Sequence, residues 1–392
     1  GLQYKVVLET TPFYAESGGQ VGDTGVLRGK TSGMEVAVVD TKKENDLIVH
    51  LVTDPRIEEL AQEDVIMAEI QVTRRRAITH HHSATHLLQA ALQEVLGAHV
   101  AQKGSLVNED LLRFDFSHFQ KVSEEEILAI EKIVNAKIAE NIPLLEERNV
   151  PIAQAKEKGA MALFGEKYGD FVRVITFDKD YSVELCGGTH VPATGEIGLC
   201  KITSESSVAT GVRRIEAITS QKAYELLRDQ DRQLGEINDL LKAPKDLVKA
   251  VSQVIEQNNS LQKAISAYQA KEINALKGQL ASQISTKNEV NYLIQQVQVP
   301  HADALKNLAF DLQTENNSLF CLLAAEIEGK ASLALAISKD LIESRGFHAG
   351  NLLRELAKEV QGGGGGQPFL ATAGGQNPGG ISNLINKAIS LL

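Results

Sequence analysis

Four side chains in this sequence could together hold a metal ion. His82 and His86 stand four residues apart in His82-Ser-Ala-Thr-His86, and Cys186 and His190 do the same in Cys186-Gly-Gly-Thr-His190. Two imidazoles one helical turn apart can grip one borderline-soft cation, and a Cys-x3-His pair supplies a thiolate and a third imidazole. The two pairs make a four-ligand set of the kind that one zinc ion per chain takes. Gly187 and Gly188 carry no side-chain bulk, so the loop can curl until Cys186 and His190 face one point. The ligating form of Cys186 is the thiolate, which the metal itself stabilises. An HxxxH pair alone is most often an ordinary surface-helix pair; the second pair carries the metal reading.

The elements around these residues follow from periodicity. From Thr73 to Leu96 a helix is predicted, with Leu87, Leu88, Ala91, Leu92, Val95 and Leu96 on one arc. His82 and His86 fall on roughly the opposite side, which places them outside the core. His80 and His81 lie nearer the apolar arc and are read as non-ligands, with His81 kept open as an alternative. Cys186 and His190 follow the strand-like Ser182-Val-Glu-Leu185, so a strand end should present them to the helix.

Composition narrows the class. A chain of 392 residues exceeds one core and predicts two to four domains. It is 43% hydrophobic, with no apolar run near the roughly twenty residues that span a bilayer. Three cysteines cannot all pair, and with Cys186 on a metal, Cys200 and Cys321 read as buried thiols of a reducing, cytoplasmic compartment. A first residue other than Met suggests excision from something larger. The net charge of −11 argues against RNA binding by bulk electrostatics, so any RNA contact needs a local patch. Arg74, Arg75 and Arg76 are the densest candidate; a solvated helix turn is the competing reading.

Taken in order, residues 1–72 show short alternating runs punctuated by glycines and predict a small antiparallel β-barrel. Residues 73–219 mix helices and strands; Ser123 with Glu126 forms a capping box for a helix to about Glu140. Residues 220–288 read as two helices broken at Pro244. In the second helix Leu247, Val251, Val254, Asn258, Leu261, Ile265 and Tyr268 keep the 4-3 spacing of a coiled-coil seam. This predicts a long antiparallel helical coiled coil, a spacer arm or a dimerisation element. Residues 289–392 alternate strand and helix patterns and predict a small α/β domain. Its Gly362-to-Gly366 run reads as a mobile turn or, less often, as a phosphate-approaching loop. From His301 to Leu392 there are seven basic and nine acidic residues, so no electrostatic RNA footprint shows there.

Five separated stretches resemble the alanyl-tRNA synthetase family, in that family's order. They are Thr11-Pro-Phe-Tyr-Ala-Glu-Ser-Gly-Gly-Gln-Val-Gly-Asp23, His82-to-His86 running into Val100-Ala-Gln-Lys-Gly-Ser105, Gly159-Ala-Met-Ala-Leu-Phe-Gly-Glu-Lys167, Glu184-Leu-Cys-Gly-Gly-Thr-His190 and Gly211-Val-Arg-Arg-Ile-Glu216. The resemblance implies an α+β fold in which 1–72 is the barrel, 73–219 a zinc-dependent editing domain, 220–288 the coiled coil and 289–392 a tRNA-binding C-terminal domain. It implies an aminoacyl-tRNA deacylase that removes serine or glycine from tRNA(Ala). Zinc at His82, His86, Cys186 and His190 would polarise the ester, hold a hydroxide or position the substrate. Thr85 and Gln102 are carried over as the catalytic and discriminating candidates. The resemblance also places the ATP- and alanine-binding activation domain before Gly1, so this polypeptide should not itself make alanyl-tRNA. Gly363, Gly364 and Gly365 become RNA-contact candidates, with tRNA(Ala) the partner and a homodimer possible through the helices or the last domain. The runner-up readings are a free-standing AlaX-type trans-editing protein and a non-enzymatic tRNA-binding and dimerisation module with structural zinc. Against AlaX stand Ala15 and Ser17, where the stand-alone proteins resemble Pro-Glu-Gly-Gly-Gly-Gln.

Overall fold

The computed structural model describes residues 3–61, 65–161 and 169–392. The chain divides into two compact units, Gly1–Asp239 and Leu240–Leu392.

In the first unit the alternating runs become β1 (Tyr4–Val7), β2 (Gly25–Gly29), β3 (Glu35–Glu44) and β4 (Leu47–Val52), then a one-turn helix α1 (Ile57–Leu60) and β5 (Ile66–Ile70). They pair antiparallel in the order β1-β4-β3-β2-β5. The expected barrel does not close: β1 and β5 are the two edges of an open sheet. Closure needs each terminal strand to find a second partner at a fixed stagger, and β1 is only four residues long. The apolar face is covered instead by α1, whose Ile57 and Leu60 share a core with Phe13, Leu27, Val36, Val38 and Val52.

Next come α2 (Val72–Leu96), β6 (Gln102–Val107), β7 (Leu112–Ser117), α3 (Glu124–Ala139), β8 (Leu145–Pro151), α4 (Ile152–Glu157), β9 (Phe171–Phe177), β10 (Ser182–Leu185), β11 (Cys200–Ala209), β12 (Val212–Thr219) and α5 (Ser220–Leu240). Two antiparallel sheets form, β11-β12-β7-β6 and β10-β9-β8. The capping box heads α3 as predicted: Ser123 Oγ accepts from the Glu126 amide and Glu126 Oε2 from the Ser123 amide. The main core joins Leu87, Leu88 and Leu92 of α2 to Phe114 and Phe116 of β7, Ile130 and Val134 of α3, and Ile175 and Phe177 of β9. Every residue of α2 from His80 to Leu92 is buried. The helix therefore has no solvent face in this span, and the expectation that His82 and His86 lie outside the core is corrected. Their side of α2 meets protein as well, and polar residue types disguised it. The Gly159-to-Lys167 stretch falls mostly outside the described residues.

The second unit opens with α6 (Leu247–Ala281), restarted after Pro244 by Asp246, whose carboxylate accepts from the Lys249 amide at 2.9 Å. Val251, Val254, Leu261, Ile265 and Tyr268 of its 4-3 seam are exposed. After it come β13 (Ser285–Lys287), β14 (Val290–Gln296), α7 (Ala302–Glu315), β15 (Leu319–Ile327), β16 (Lys330–Ile337), α8 (Lys339–Arg345), α9 (Ala349–Leu356), β17 (Gly362–Gly366), β18 (Leu370–Gly375) and α10 (Ile381–Ser390). One sheet runs β13-β14-β15-β16-β18-β17, parallel only between β14 and β15. The expectation of a glycine loop is corrected: the run is the edge strand β17, with Gly363, Gly364 and Gly365 paired to Gly374, Ala373 and Thr372 of β18. A Cβ on Gly364 would lie 2.4 Å from the Thr372 carbonyl oxygen and from Ala373 Cβ, and one on Gly350 of α9 would lie 2.6 Å from the Gly366 carbonyl oxygen. Bare backbone lets strand and helix approach this closely.

Candidate metal centre

His82, His86, Cys186 and His190 meet inside the first unit, with one ligand atom from each lying within 4.8 Å of all the others. The His82–His190 and His86–His190 ring centroids are each 4.6 Å apart, and His82–His86 5.4 Å. Cys186 Sγ is 3.3 Å from His82 Nε2 and 3.4 Å from His190 Nε2. A tetrahedral zinc with bonds of about 2.1 Å to nitrogen and about 2.3 Å to sulfur has edges of about 3.5 Å. The donor set therefore fits such an ion.

The second nitrogens of His82 and His190 have hydrogen-bonding partners, and that of His86 faces a carboxyl. His82 Nδ1 lies 2.7 Å from Gln20 Oε1, and the Thr189 amide donates to that same oxygen at 2.9 Å. A backbone N–H can only donate, so the Gln20 oxygen faces both groups and His82 must carry its proton on Nδ1. This leaves Nε2 free for the metal. Ser83 Oγ sits 3.2 Å from His190 Nδ1 while accepting from the Val191 amide. Glu184 Oε2 lies 3.4 Å from His86 Nδ1, an ion-pair separation without hydrogen-bond geometry. Burial, reinforced by Arg173, lowers His82 to about 4. Burial, then the neighbouring rings and Arg173, holds His86 and His190 well below the ordinary range, so all three rings are neutral, the metal-binding form. Burial pushes the Glu184 carboxyl up to about 8. A divalent cation beside it would balance the charges of Glu184 and the Cys186 thiolate, a second sign of fit.

Local sequence explains the delivery. Ser17 and Gln20 exchange both backbone hydrogen bonds around Gly18 and Gly19, at φ 57° and 84°, the two-residue turn that needs positive φ at both centres. The turn docks on β6 through Val107 N to Gly19 O at 2.7 Å and Val21 N to Val107 O at 3.0 Å, which carries Gln20 to His82. In the 186–190 loop a Cβ on Gly188 would lie 2.0 Å from His82 Cε1, whereas one on Gly187 would meet nothing. Arg173 clamps the loop by donating to the Cys186 and Gly188 carbonyls. A cleft of about 570 Å3 opens beside it, lined by Arg148, Phe171, Arg173, Gly188, Thr189 and His190 among others.

The other candidates fare differently. Thr85 is buried and donates its hydroxyl to the His81 carbonyl one turn back. Gln102, half-buried at the start of β6, makes no side-chain hydrogen bond among the described residues. The arginine triplet is not one patch: Arg74 pairs with Glu109 and donates to the Gly22 carbonyl, and Arg75 pairs with Asp23, so both pin α2 to the preceding segment. Arg76 alone stays exposed. The RNA-contact candidates Gly363, Gly364 and Gly365 belong to the second unit and sit in a paired strand, where β18 already takes up ladder hydrogen bonds. Of the three, Gly365 has a cation at hand, since a Cβ there would lie 3.6 Å from Arg354 Nη2, while one on Gly363 would meet open space. His81 is no ligand, since its nitrogens meet the Asn108 carbonyl and the Thr219 amide. Gln20, Ser83 and Glu184 were missed from the sequence. The turn glycines before Gln20 were the available signal.

Comparison with known proteins follows the same division. Residues 1–74 match the family model described as tRNA synthetases class II (A), residues 172–216 the threonyl and alanyl tRNA synthetase second additional domain, and residues 289–392 the DHHA1 domain. Two of these three models describe parts of aminoacyl-tRNA synthetases, which is the class the matches indicate. The alanine--tRNA ligase of Cytophaga hutchinsonii is 50% identical over the whole chain, and that of Bacteroides fragilis 49% identical over 99% of it. In each case the match spans 44% of the relative's own length. The chain corresponds to the C-terminal region of alanyl-tRNA synthetases. The crystal structure of the C-Ala domain from Aquifex aeolicus alanyl-tRNA synthetase is 22% identical, covers 28% of this chain and 96% of that one, and superposes with a TM-score of 0.26. Among the described residues no helix is long and apolar enough to cross a membrane.

Proposed function

We propose that this chain is the editing part of an alanine--tRNA ligase, hydrolysing Ser-tRNA(Ala) and Gly-tRNA(Ala) while its last domain holds the tRNA. The convergence of four neutral or ionisable donors at one buried point, in a chain that matches the second additional domain of threonyl and alanyl synthetases, carries the reading. A second sieve answers a real need, because a pocket for alanine rejects serine or glycine by only about 1–3 kcal/mol.

His82, His86, Cys186 and His190 would hold zinc, which when bound supplies Lewis-acid polarisation of the ester or a water of lowered pKa. The chain's own residues do the rest. Gln20 fixes the His82 tautomer, Ser83 orients His190, and Glu184 faces His86 Nδ1 at ion-pair separation. The 570 Å3 cleft suits a terminal adenosine: Phe171, 64% exposed, offers a ring for base stacking, and Arg148 and Arg173, which share the one carboxylate of Glu146, leave a net positive charge for phosphate. Discrimination against alanine needs a polar group that the serine hydroxyl satisfies, for which Thr85 and Gln102 remain the candidates.

A saturated four-ligand set is also the pattern of a structural zinc, and it favours the second reading, a tRNA-binding module without hydrolysis. Incubation with Ser-tRNA(Ala) and Ala-tRNA(Ala) separates the two. Loss of serine but not alanine, abolished in Cys186→Ala, supports editing; ester half-lives unchanged by the protein leave only the binding module.

A further inference from the structure

A second cavity in the first unit, about 660 Å3, shares no residue with the four ligands. It is lined by the starts of two long helices, the N-cap Gln71 with Thr73 and Arg74 of α2, and Ser220 to Lys222 of α5. Neither helix has an acidic residue in its first turn, and the Gln71 side chain, which accepts from the Thr24 hydroxyl, caps none of the first amides of α2. Uncapped amides and the positive ends of two helix dipoles favour an anion at such a place. Of the cations on the wall, Arg74 is paired with Glu109 and Lys222 with Asp110, which neutralises both carboxylates. Arg76 lines the cavity and makes no ion pair or hydrogen bond among the described residues.

Independent of the helix ends, two buried side chains on the same wall lack partners among the described residues. His80 is 5% exposed with neither ring nitrogen hydrogen-bonded, and Thr219 is 2% exposed with its hydroxyl unmatched. Unmatched buried polar atoms are rare enough to point to a missing partner. Glu196, the remaining carboxylate of the wall, forms no ion pair among the described residues and can accept from a ligand N–H or hydroxyl. A lone phosphate is far smaller than this space, which lies within the range of about 300–1,000 Å3 usual for small-molecule sites.

We propose that this cavity binds a nucleotide, its phosphate seated between the two helix N-termini and Arg76, with His80 and Thr219 hydrogen-bonding the attached sugar or base. The same chemistry is offered by a free nucleotide and by an unpaired nucleotide of bound RNA. The site stands whether or not the chain is a deacylase.

The test follows the His80 ring resonances of the full chain during titration with inorganic phosphate, AMP and uncharged tRNA(Ala). It uses the wild type, Arg76→Ala and Thr219→Val, with metal content checked in each. AMP should shift His80 saturably, phosphate should compete more weakly, and each variant should weaken AMP by about tenfold or more, the worth of one charged or buried hydrogen bond. Displacement of AMP by tRNA assigns the site to RNA, and AMP binding indifferent to tRNA assigns it to a free nucleotide. A folded protein whose His80 responds to neither AMP nor tRNA, or whose AMP affinity is unchanged in both variants, overturns the proposal.

Discussion

Replacing Gln20 by leucine tests whether the N-terminal turn serves the metal or only fills space. Leucine keeps the approximate shape and removes one acceptor, Oε1, that serves His82 Nδ1 at 2.7 Å and the Thr189 amide at 2.9 Å. Each buried donor left unmatched costs about 1–3 kcal/mol. Against this, the Gln20 amide nitrogen is itself buried without a partner, so its loss returns about 1–3 kcal/mol. The metal-free protein should therefore lose only about 1–3 kcal/mol in denaturant unfolding. The metal effect should be larger in proportion: loss of an orienting partner costs about 10–100-fold in affinity. Competition with a chromogenic chelator reads this directly, and Gln20→Glu, which keeps an acceptor, should recover affinity to within about tenfold of wild type. If Gln20→Leu is destabilised as stated yet binds zinc with unchanged affinity, the tautomer argument is wrong and Gln20 is only packing.

Three further outcomes follow from the same geometry. Gly188→Ala should lose most of its bound zinc because its Cβ would meet His82 Cε1 at 2.0 Å, while Gly187→Ala, facing open space, should keep one zinc per chain by metal analysis. Glu146 is held down to about 2 by hydrogen bonds from Arg173 and then Arg148. Its depressed value means that its contribution is fully present above its ordinary value of 4.5 and is lost as pH falls toward 2. Stability measured between pH 5 and 2 should accordingly fall less steeply in Glu146→Gln. In the last domain Gly364→Ala should lower the unfolding midpoint, because its Cβ would press on Thr372 and Ala373, whereas Gly363→Ala should not.

The convergence of the four donors was legible because metal ligation demands particular residue types at particular spacings, and His82/His86 with Cys186/His190 supply both. Burial of those histidines was not. Periodicity compares apolar with polar residue types, and α2 from His80 to Leu92 is packed on all sides with polar residues included. The capping box at Ser123 and the break at Pro244 are local signals and were readable. Closure of the first sheet depends on whether β1 meets β5, a long-range pairing that alternation does not encode. The strand β17, Gly365 and its neighbours included, has no side chains from which to infer a face. Gln20 lay in plain view, but its role depends on a turn, on β6 and on an imidazole sixty-two positions away.

The Ser17–Gln20 turn also bears on how this polypeptide can be subdivided. A fragment trimmed to begin at α2 would retain every metal donor yet leave His82 without its oxygen acceptor and Arg75 without Asp23. Modular swaps between synthetases that cut at this junction should therefore carry the small leading sheet along, or inherit a centre that leaks its ion.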